Sequence, residues 1–321
     1  MSNEEYRRLY LFLDLIYVPM VVDDHHWNQR SSFLEKDFKI QSKFENFKNI
    51  VDTEYDGDAD KVWATTGNFT KACNNYLIGK KEYEQYILKD REIPEIFKSS
   101  LSSKTYFENG RTYLSIDLVQ AFNQALSYYN VLNGKTWDEF VSEQTDSNLI
   151  KNSKYLRICC WPESDKIQIT NVTYEMLETL INSQDELFKL IKELNLPIMK
   201  ILVDELVYDI TGHEDAFKQF VSEDRTVENI HIHVRMYRWD SIFYRTCGDR
   251  YRSLGVKYMY GEAVPRYIGV KNNIFFPQAY KLYYGLEITE DDLAYPSNNG
   301  FELTNQIEPM RREDAIKSQV F

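Results

Sequence analysis

Three carboxylates stand at the ends of strand-like segments. Asp117 closes the run Arg111-Thr112-Tyr113-Leu114-Ser115-Ile116-Asp117-Leu118, in which Leu114 and Ile116 alternate with Ser115 and Asp117, the period-two pattern of a half-buried strand. Asp204 and Glu205 fall between two apolar runs, Ile198–Val203 and Leu206–Ile210, which read as a tight hairpin with two acids at its turn. If these strands pair in one sheet, Asp117 and Asp204 meet. Carboxylates a few ångströms apart repel, and a shared proton or a hard cation relieves the repulsion. Magnesium, or manganese in its place, suits such a pair because it takes one or two carboxylates beside substrate phosphates. In a two-metal site it would serve phosphoryl or nucleotidyl transfer. The same residues also fit a plainer arrangement, with Asp117 capping the next helix and Asp204-Glu205 filling a polar turn.

A second feature is a reversal of charge. The chain carries 38 Lys and Arg against 50 Asp and Glu, a net charge of −12, which excludes a general nucleic-acid glue. Between Arg225 and Lys271, however, basic residues outnumber acidic ones by nine to four. Arg235, Arg238, Arg245, Arg250, Arg252 and Lys257 alternate there with Tyr237, Trp239, Phe243, Tyr244, Tyr251 and Tyr258. Cations neutralise phosphates and aromatic faces accept stacked bases, so the segment suits a nucleic-acid strand. It equally suits a surface sheet whose arginines pair with the acidic excess. His231-x-His233 and Asp23-Asp24-His25-His26 lack a third metal ligand at a recognisable spacing. No phosphate-cradling glycine loop or nucleophile elbow is present.

The acids carry a resemblance. Ser115-Ile116-Asp117-Leu118-Val119-Gln120-Ala121-Phe122 resembles motif A of nucleic-acid polymerase palm domains. Val203-Asp204-Glu205-Leu206-Val207-Tyr208 is similar to motif C of the family A DNA polymerases, with Val203 where that pattern has histidine. The resemblance implies a palm, in which Asp117 and Asp204 bind the catalytic metals and Glu205 is the neighbouring acid. Phe122, five positions after Asp117, would stand where several DNA-making polymerases hold an aromatic that excludes the ribose 2′-hydroxyl. Its other role is as a core aromatic of an amphipathic helix. Lys154 and Arg157 share a helix face where the family grips the incoming triphosphate; a solvated basic face would also explain them. The implied activity is template-directed nucleotidyl transfer from dNTPs, in a compact enzyme of virus or mobile-element type. The fingers insertion has no counterpart, which implies that partner subunits supply it. The alternative is a non-catalytic nucleic-acid-binding or structural subunit of a replication, transcription or virion assembly.

The elements that must position these residues follow from periodicity. After the Asp117 strand, Gln120–Leu132 reads as a helix ended by Asn133-Gly134. Residues 147–160 read as a second helix and Thr173–Leu194 as one long amphipathic helix. His213–Val221 is a further helix and Ile230–Tyr237 a strand. That order predicts an α+β fold, a palm-like antiparallel sheet with helices on one face. The expected divisions are an N-terminal mixed module (1–108, with a helical pattern over Lys81–Lys98 ended by a Ser99–Ser103 loop), a palm-like domain (109–240) and a C-terminal basic aromatic appendage, thumb-like or nucleic-acid-gripping (241–321). Cys73, Cys159, Cys160 and Cys247 form no regular framework, the pattern of reduced thiols. The apolar run Leu9–Val22 is interrupted by Asp14 and Pro19 and is short for a bilayer span. The expectation is an intracellular protein, cytoplasmic or nuclear, that does not engage a membrane.

Overall fold

The structure, a computed structural model, describes residues 1–13, 24–102, 107–162, 165–221, 224–246, 250–269, 274–297 and 300–318. In chain order the helices are α1 (Asn3–Phe12), α2 (Asp24–Phe38), α3 (Ile40–Tyr55), α4 (Ala59–Leu77), α5 (Glu95–Ser102), α6 (Ala121–Tyr128), α7 (Trp137–Gln144), α8 (Asn148–Asn152), α9 (Lys154–Cys159), α10 (Lys166–Asn182), α11 (Glu186–Glu193), α12 (Glu214–Phe217), α13 (Phe276–Tyr283) and α14 (Arg312–Ser318). The strands are β1 (Thr112–Leu118), β2 (Ile198–Leu202), β3 (Glu205–Asp209), β4 (Asp224–Val227), β5 (Ile230–Thr246), β6 (Arg250–Met259), β7 (Arg266–Ile268), β8 (Ala294–Ser297), β9 (Gly300–Leu303) and β10 (Glu308–Met310). Among the described residues no helix is long and apolar enough to cross a membrane.

The fold is mixed, with helices and an antiparallel sheet. Residue contacts define two compact units: 64–239 with 259–261, and 1–63 with 240–258 and 262–321. The boundary expected at 240 falls at 239/240, whereas the one expected at 108 lies at 63/64. The physical reason is that Phe69, Cys73 and Leu77 of α4 and Phe97 of α5 bury into the same apolar cluster as Leu114 and Ile116 of β1. Residues 64–102 are therefore inseparable from the central sheet.

In the unit built on residues 64–239, the strands run in the order β2-β3-β1-β5, and β4 also pairs with β5. Strand β1 is antiparallel to both neighbours, with Asp117 opposite Glu205 on one side and His233 on the other. Period-two alternation then sorts the residues. Leu114, Ile116, Leu118, Leu206, Tyr208, Ile232 and Val234 face a core completed by the helices, including Ala125 and Leu126 of α6 and Met176, Leu177 and Leu180 of α10. Burying each large aliphatic side chain there is worth about 1.5–3 kcal/mol. On the other face, Tyr113, Val207, Tyr237, Trp239 and Met259 form a smaller apolar cluster with Phe107 and Met199 packed against it. Beyond it on this face come Ser115, Asp117, Glu205, His233 and Arg235. A one-residue slip of β1 would exchange the faces and put Asp117 into the apolar core, so the burial of Leu114 and Ile116 fixes where the acid points.

Some elements depart from the periodicity. The expected helix over Thr173–Leu194 is two, because Ser183 turns the backbone extended and Asp185 caps α11 by accepting from the Leu187 N–H at 2.9 Å. The helix over 147–160 is likewise divided at Ser153, whose hydroxyl caps α9. The segment Ser99–Ser102 belongs to α5. Strand β5 runs on to Thr246, well past Tyr237.

In the other unit, α1, α2 and α3 pack through Tyr10, Trp27, Phe44 and Phe47. Buried Arg30 donates to the carbonyls of Asp291 and Ala294. Asp37 accepts from the hydroxyls of Tyr267 and Tyr280. Within this unit β6 is followed in the sheet order by β7, and β10 pairs with β5 through Pro309 and Tyr244. Of the run Leu9–Val22, residues 14–22 lie outside the described residues, as do Asp23 and Cys247. Cys73, Cys159 and Cys160 are free thiols.

Candidate functional site

At the end of β1 the chain leaves the sheet and turns into α6. Gln120, at the start of the helix, has φ of 50°, in the left-handed region, a conformation costly for a residue with a side chain. The loop is held from both sides. The Leu118 N–H donates to the Asp204 carbonyl at 2.8 Å and the Val119 N–H to the His231 carbonyl at 3.0 Å. Gln124 of α6 donates its side-chain amide to the carbonyls of Val119 and His231, at 2.8 and 2.9 Å. On the hairpin side, the hydroxyl of Thr173 lies 2.7 Å from the Val203 carbonyl, tying α10 to the turn that carries Asp204.

These constraints open a cavity of about 350 Å³. Asp117 and Asp204 both line it, together with the Leu118–Asn123 loop, Lys154, His233 and Arg235. The two acids predicted to converge do so. Phe122 lines the cavity and also packs against the main core. Asn123 is buried and accepts from the Trp161 indole N–H at 3.1 Å.

The cavity is charged and partly desolvated, with Asp117 and Asp204 facing Lys154 and Arg235 in its lining. Burial, with the neighbouring Asp204 and Glu205 charges, lifts the Asp117 carboxyl to about 6, against the pull of Arg235 and Lys154. Burial and the Glu205 charge raise Asp204 as well, with Lys154 acting in the opposite sense. Arg235 meets Asp117 in an ion pair at 3.1 Å. Glu205 accepts from the Ser115 hydroxyl on the same sheet face. His233 pairs through Nδ1 with Asp224.

Two carboxylates raised by burial and by neighbouring acids are a donor set that divalent charge would relieve. Among the described residues no three His, Cys, Asp or Glu side chains form a ready metal cage. Two carboxylates are the number magnesium takes when substrate phosphates complete its shell.

Of the other expected site residues, Arg235 stands at the acids and not along a separate strand-binding surface. Arg238, Arg245 and Arg252 are exposed, and Lys257 is half-buried. Arg245 lies 3.9 Å from Glu308, and the Arg252 guanidinium sits over the Phe275 ring. The side chains of Arg157 and Arg250 lie outside the described residues. Asn123 and Gln124 are cavity and support residues without a local sequence signal, whereas His233, seen in the sequence beside His231, lines the cavity. His231 and His233 do not form a metal pair: His231 meets the Thr226 hydroxyl and His233 meets Asp224. No family model, curated relative or solved structure matches the chain.

Proposed function

We propose that the cavity is a nucleotidyl-transfer site of the polymerase palm type, extending a nucleic-acid primer with deoxynucleoside triphosphates on a template. The observation that carries the reading is that Asp117, at the end of β1, and Asp204, at the β2-β3 turn, line one cavity where β1 turns into α6. Asp117 and Asp204 would hold magnesium or manganese, which when bound supplies charge stabilisation for the attacking and leaving oxygens. In the transfer, the primer 3′-hydroxyl gives its proton to solvent water, its oxygen forms a bond to the α-phosphorus, and the bond to pyrophosphate breaks so that pyrophosphate leaves. Lys154 supplies positive charge to the phosphates from the cavity wall. Phe122 presents an aromatic edge where a sugar would lie, and a 2′-hydroxyl would meet it. Glu205, fixed by Ser115, adds negative charge behind the pair. Arg238, exposed on the strand that carries Arg235, supplies a phosphate contact to the nucleic acid.

The test is extension of a labelled primer on DNA and RNA templates with dNTPs or NTPs and magnesium. Extension by the wild type that is lost in both Asp117→Asn and Asp204→Asn is the expected result; extension surviving both substitutions, or no extension with any template, overturns the reading.

A second reading, a nucleic-acid-binding subunit without catalysis, is favoured by the Arg235–Asp117 ion pair, which compensates one acid without a metal. In that case salt-sensitive binding persists in both aspartate variants and extension is never seen.

A further inference from the structure

Arg235 is a cation in direct contact with an acid of the site. It projects from β5 with Ser115 as its cross-strand partner, one pair along from Asp117 on the same face, and reaches the Asp117 Oδ2 at 3.1 Å. Both side chains are about one-third exposed or less, at 33% and 26%. The guanidinium therefore lies at the cavity edge, able to move toward solvent without unpacking the core. Two residues further along the same strand face, Tyr237 is buried in the small apolar cluster and anchors the backbone.

We propose that Arg235 is an exchangeable counter-ion: it holds Asp117 until a divalent cation takes that carboxylate, and the released guanidinium then binds the phosphates of the incoming triphosphate. This inference rests on the nucleotidyl-transfer reading. Asp117, Asp204 and Glu205 place three acids about the cavity, against Arg235 and Lys154. Asp117 Oδ1 stays open to a cation while Arg235 holds Oδ2, but a divalent ion and a guanidinium on one carboxylate repel each other, so metal binding weakens the Arg235 contact. A guanidinium retains its charge at every working pH and matches phosphate oxygens bidentately, so phosphate arriving with the metal offers it a replacement partner. Arg235 makes the acids poor metal ligands in the absence of triphosphate and good ones in its presence, coupling the two binding events.

The experiment is a titration with Mn2+, followed by electron paramagnetic resonance, at pH 8, with wild type, Arg235→Gln, Arg235→Lys, Asp117→Asn and Asp204→Asn. Each protein is titrated with and without dATP, and thermal melting verifies that each is folded. Removing a part-exposed ion-pair partner is worth up to about 1 kcal/mol, or roughly fivefold. Arg235→Gln is thus expected to bind Mn2+ alone about two- to fivefold more tightly than wild type, and to lose most of the enhancement that dATP gives. Arg235→Lys, which keeps the charge, should lie close to wild type for Mn2+ alone. Equal or weaker Mn2+ binding by Arg235→Gln, with binding still lost in the aspartate variants, overturns the counter-ion role and leaves the metal site standing. Mn2+ binding that is indifferent to Asp117 and Asp204 overturns the site itself, and the inference with it.

Discussion

The side chain of Gln124 is bonded to His231 in both directions: its amide donates to the His231 carbonyl at 2.9 Å, and its oxygen accepts from the His231 N–H. It closes a third bond to Val119 at 2.8 Å. One buried amide thus clamps the end of β1, the start of α6 and strand β5 around the loop that lines the cavity. Removing it strands a backbone N–H and carbonyls. Gln124→Leu is expected to destabilise the protein by about 1–3 kcal/mol. Chemical denaturation followed by circular dichroism measures this, and a change below about 0.5 kcal/mol would show that the loop holds without the clamp.

The raised Asp117 carboxyl makes stability depend on pH. Folded, the group keeps its proton up to about pH 6; unfolded, it loses it at about pH 4. Between those values the folded chain binds more protons, so stability falls as pH rises through this window. Asp204, raised by burial in the same cavity, acts in the same direction. The Asp117 part is at most about 3 kcal/mol. Asp117→Asn removes that part, and its stability curve should be flatter than that of wild type between about pH 4 and pH 6. The slope is the diagnostic quantity, since the variant also leaves Arg235 without its carboxylate. Parallel curves for the two proteins would contradict the raised carboxyl. Divalent metal should shift the wild-type curve, because a ligand that binds only ionised Asp117 stabilises the folded chain at higher pH.

The meeting of Asp117 and Asp204 was legible in the sequence because each sits on a local signal: a period-two run in β1 and a pair of apolar runs around a two-residue acidic turn. Parity alone then sends Asp117 to the face away from Leu114 and Ile116. Gln124 carries no such signal. Gln124 reads as any polar residue on an amphipathic helix, and its partner lies 107 positions away. His233 gains its place only from the register that pairs it with Asp117. The break at Ser183 was hidden because apolar positions continue in helical phase on both sides of it, while Asp185 is a cap only once the backbone turns. The grouping of residues 1–63 with 240–258 and 262–321 rests on contacts such as Asp37 with Tyr267 and Tyr280, which no local pattern announces.

Thr173 offers a test of the hairpin side. Its hydroxyl lies 2.7 Å from the carbonyls of both Thr170 and Val203, so part of the bond is local to α10 and part reaches the turn before Asp204. Thr173→Val keeps the shape and removes the hydroxyl. Stability should fall by about 1 kcal/mol, with primer extension reduced more steeply than folding. Recovery of extension by Thr173→Ser would assign the effect to the hydroxyl and not to packing; an unimpaired valine variant would remove Thr173 from the positioning of Asp204.

Phe122 both lines the cavity and packs against the core, so its substitution has two separable effects. Phe122→Ala should cost about 3 kcal/mol or less, since only part of the ring is buried. It should also lower the preference for dNTPs over NTPs, because the clash with a 2′-hydroxyl disappears. Phe122→Leu restores much of the packing and little of the edge. Comparison of kcat/KM for dATP and ATP in the three proteins separates these effects. A preference that follows stability and not ring size would leave Phe122 as a core residue alone.

Arg238, exposed on β5, should show itself in the salt dependence of duplex binding. Removing one cation that touches a phosphate reduces the slope of log K against log salt by about 1, with little dependence on sequence. Arg238→Gln should lower the slope by that amount for a primer-template duplex measured by fluorescence anisotropy. Asp117→Asn should bind duplex at least as tightly as wild type, because it removes a negative charge from the cavity while leaving the arginines in place. An unchanged slope in Arg238→Gln would mean that this arginine answers to the acidic surface of the chain itself and that nucleic acid is gripped elsewhere.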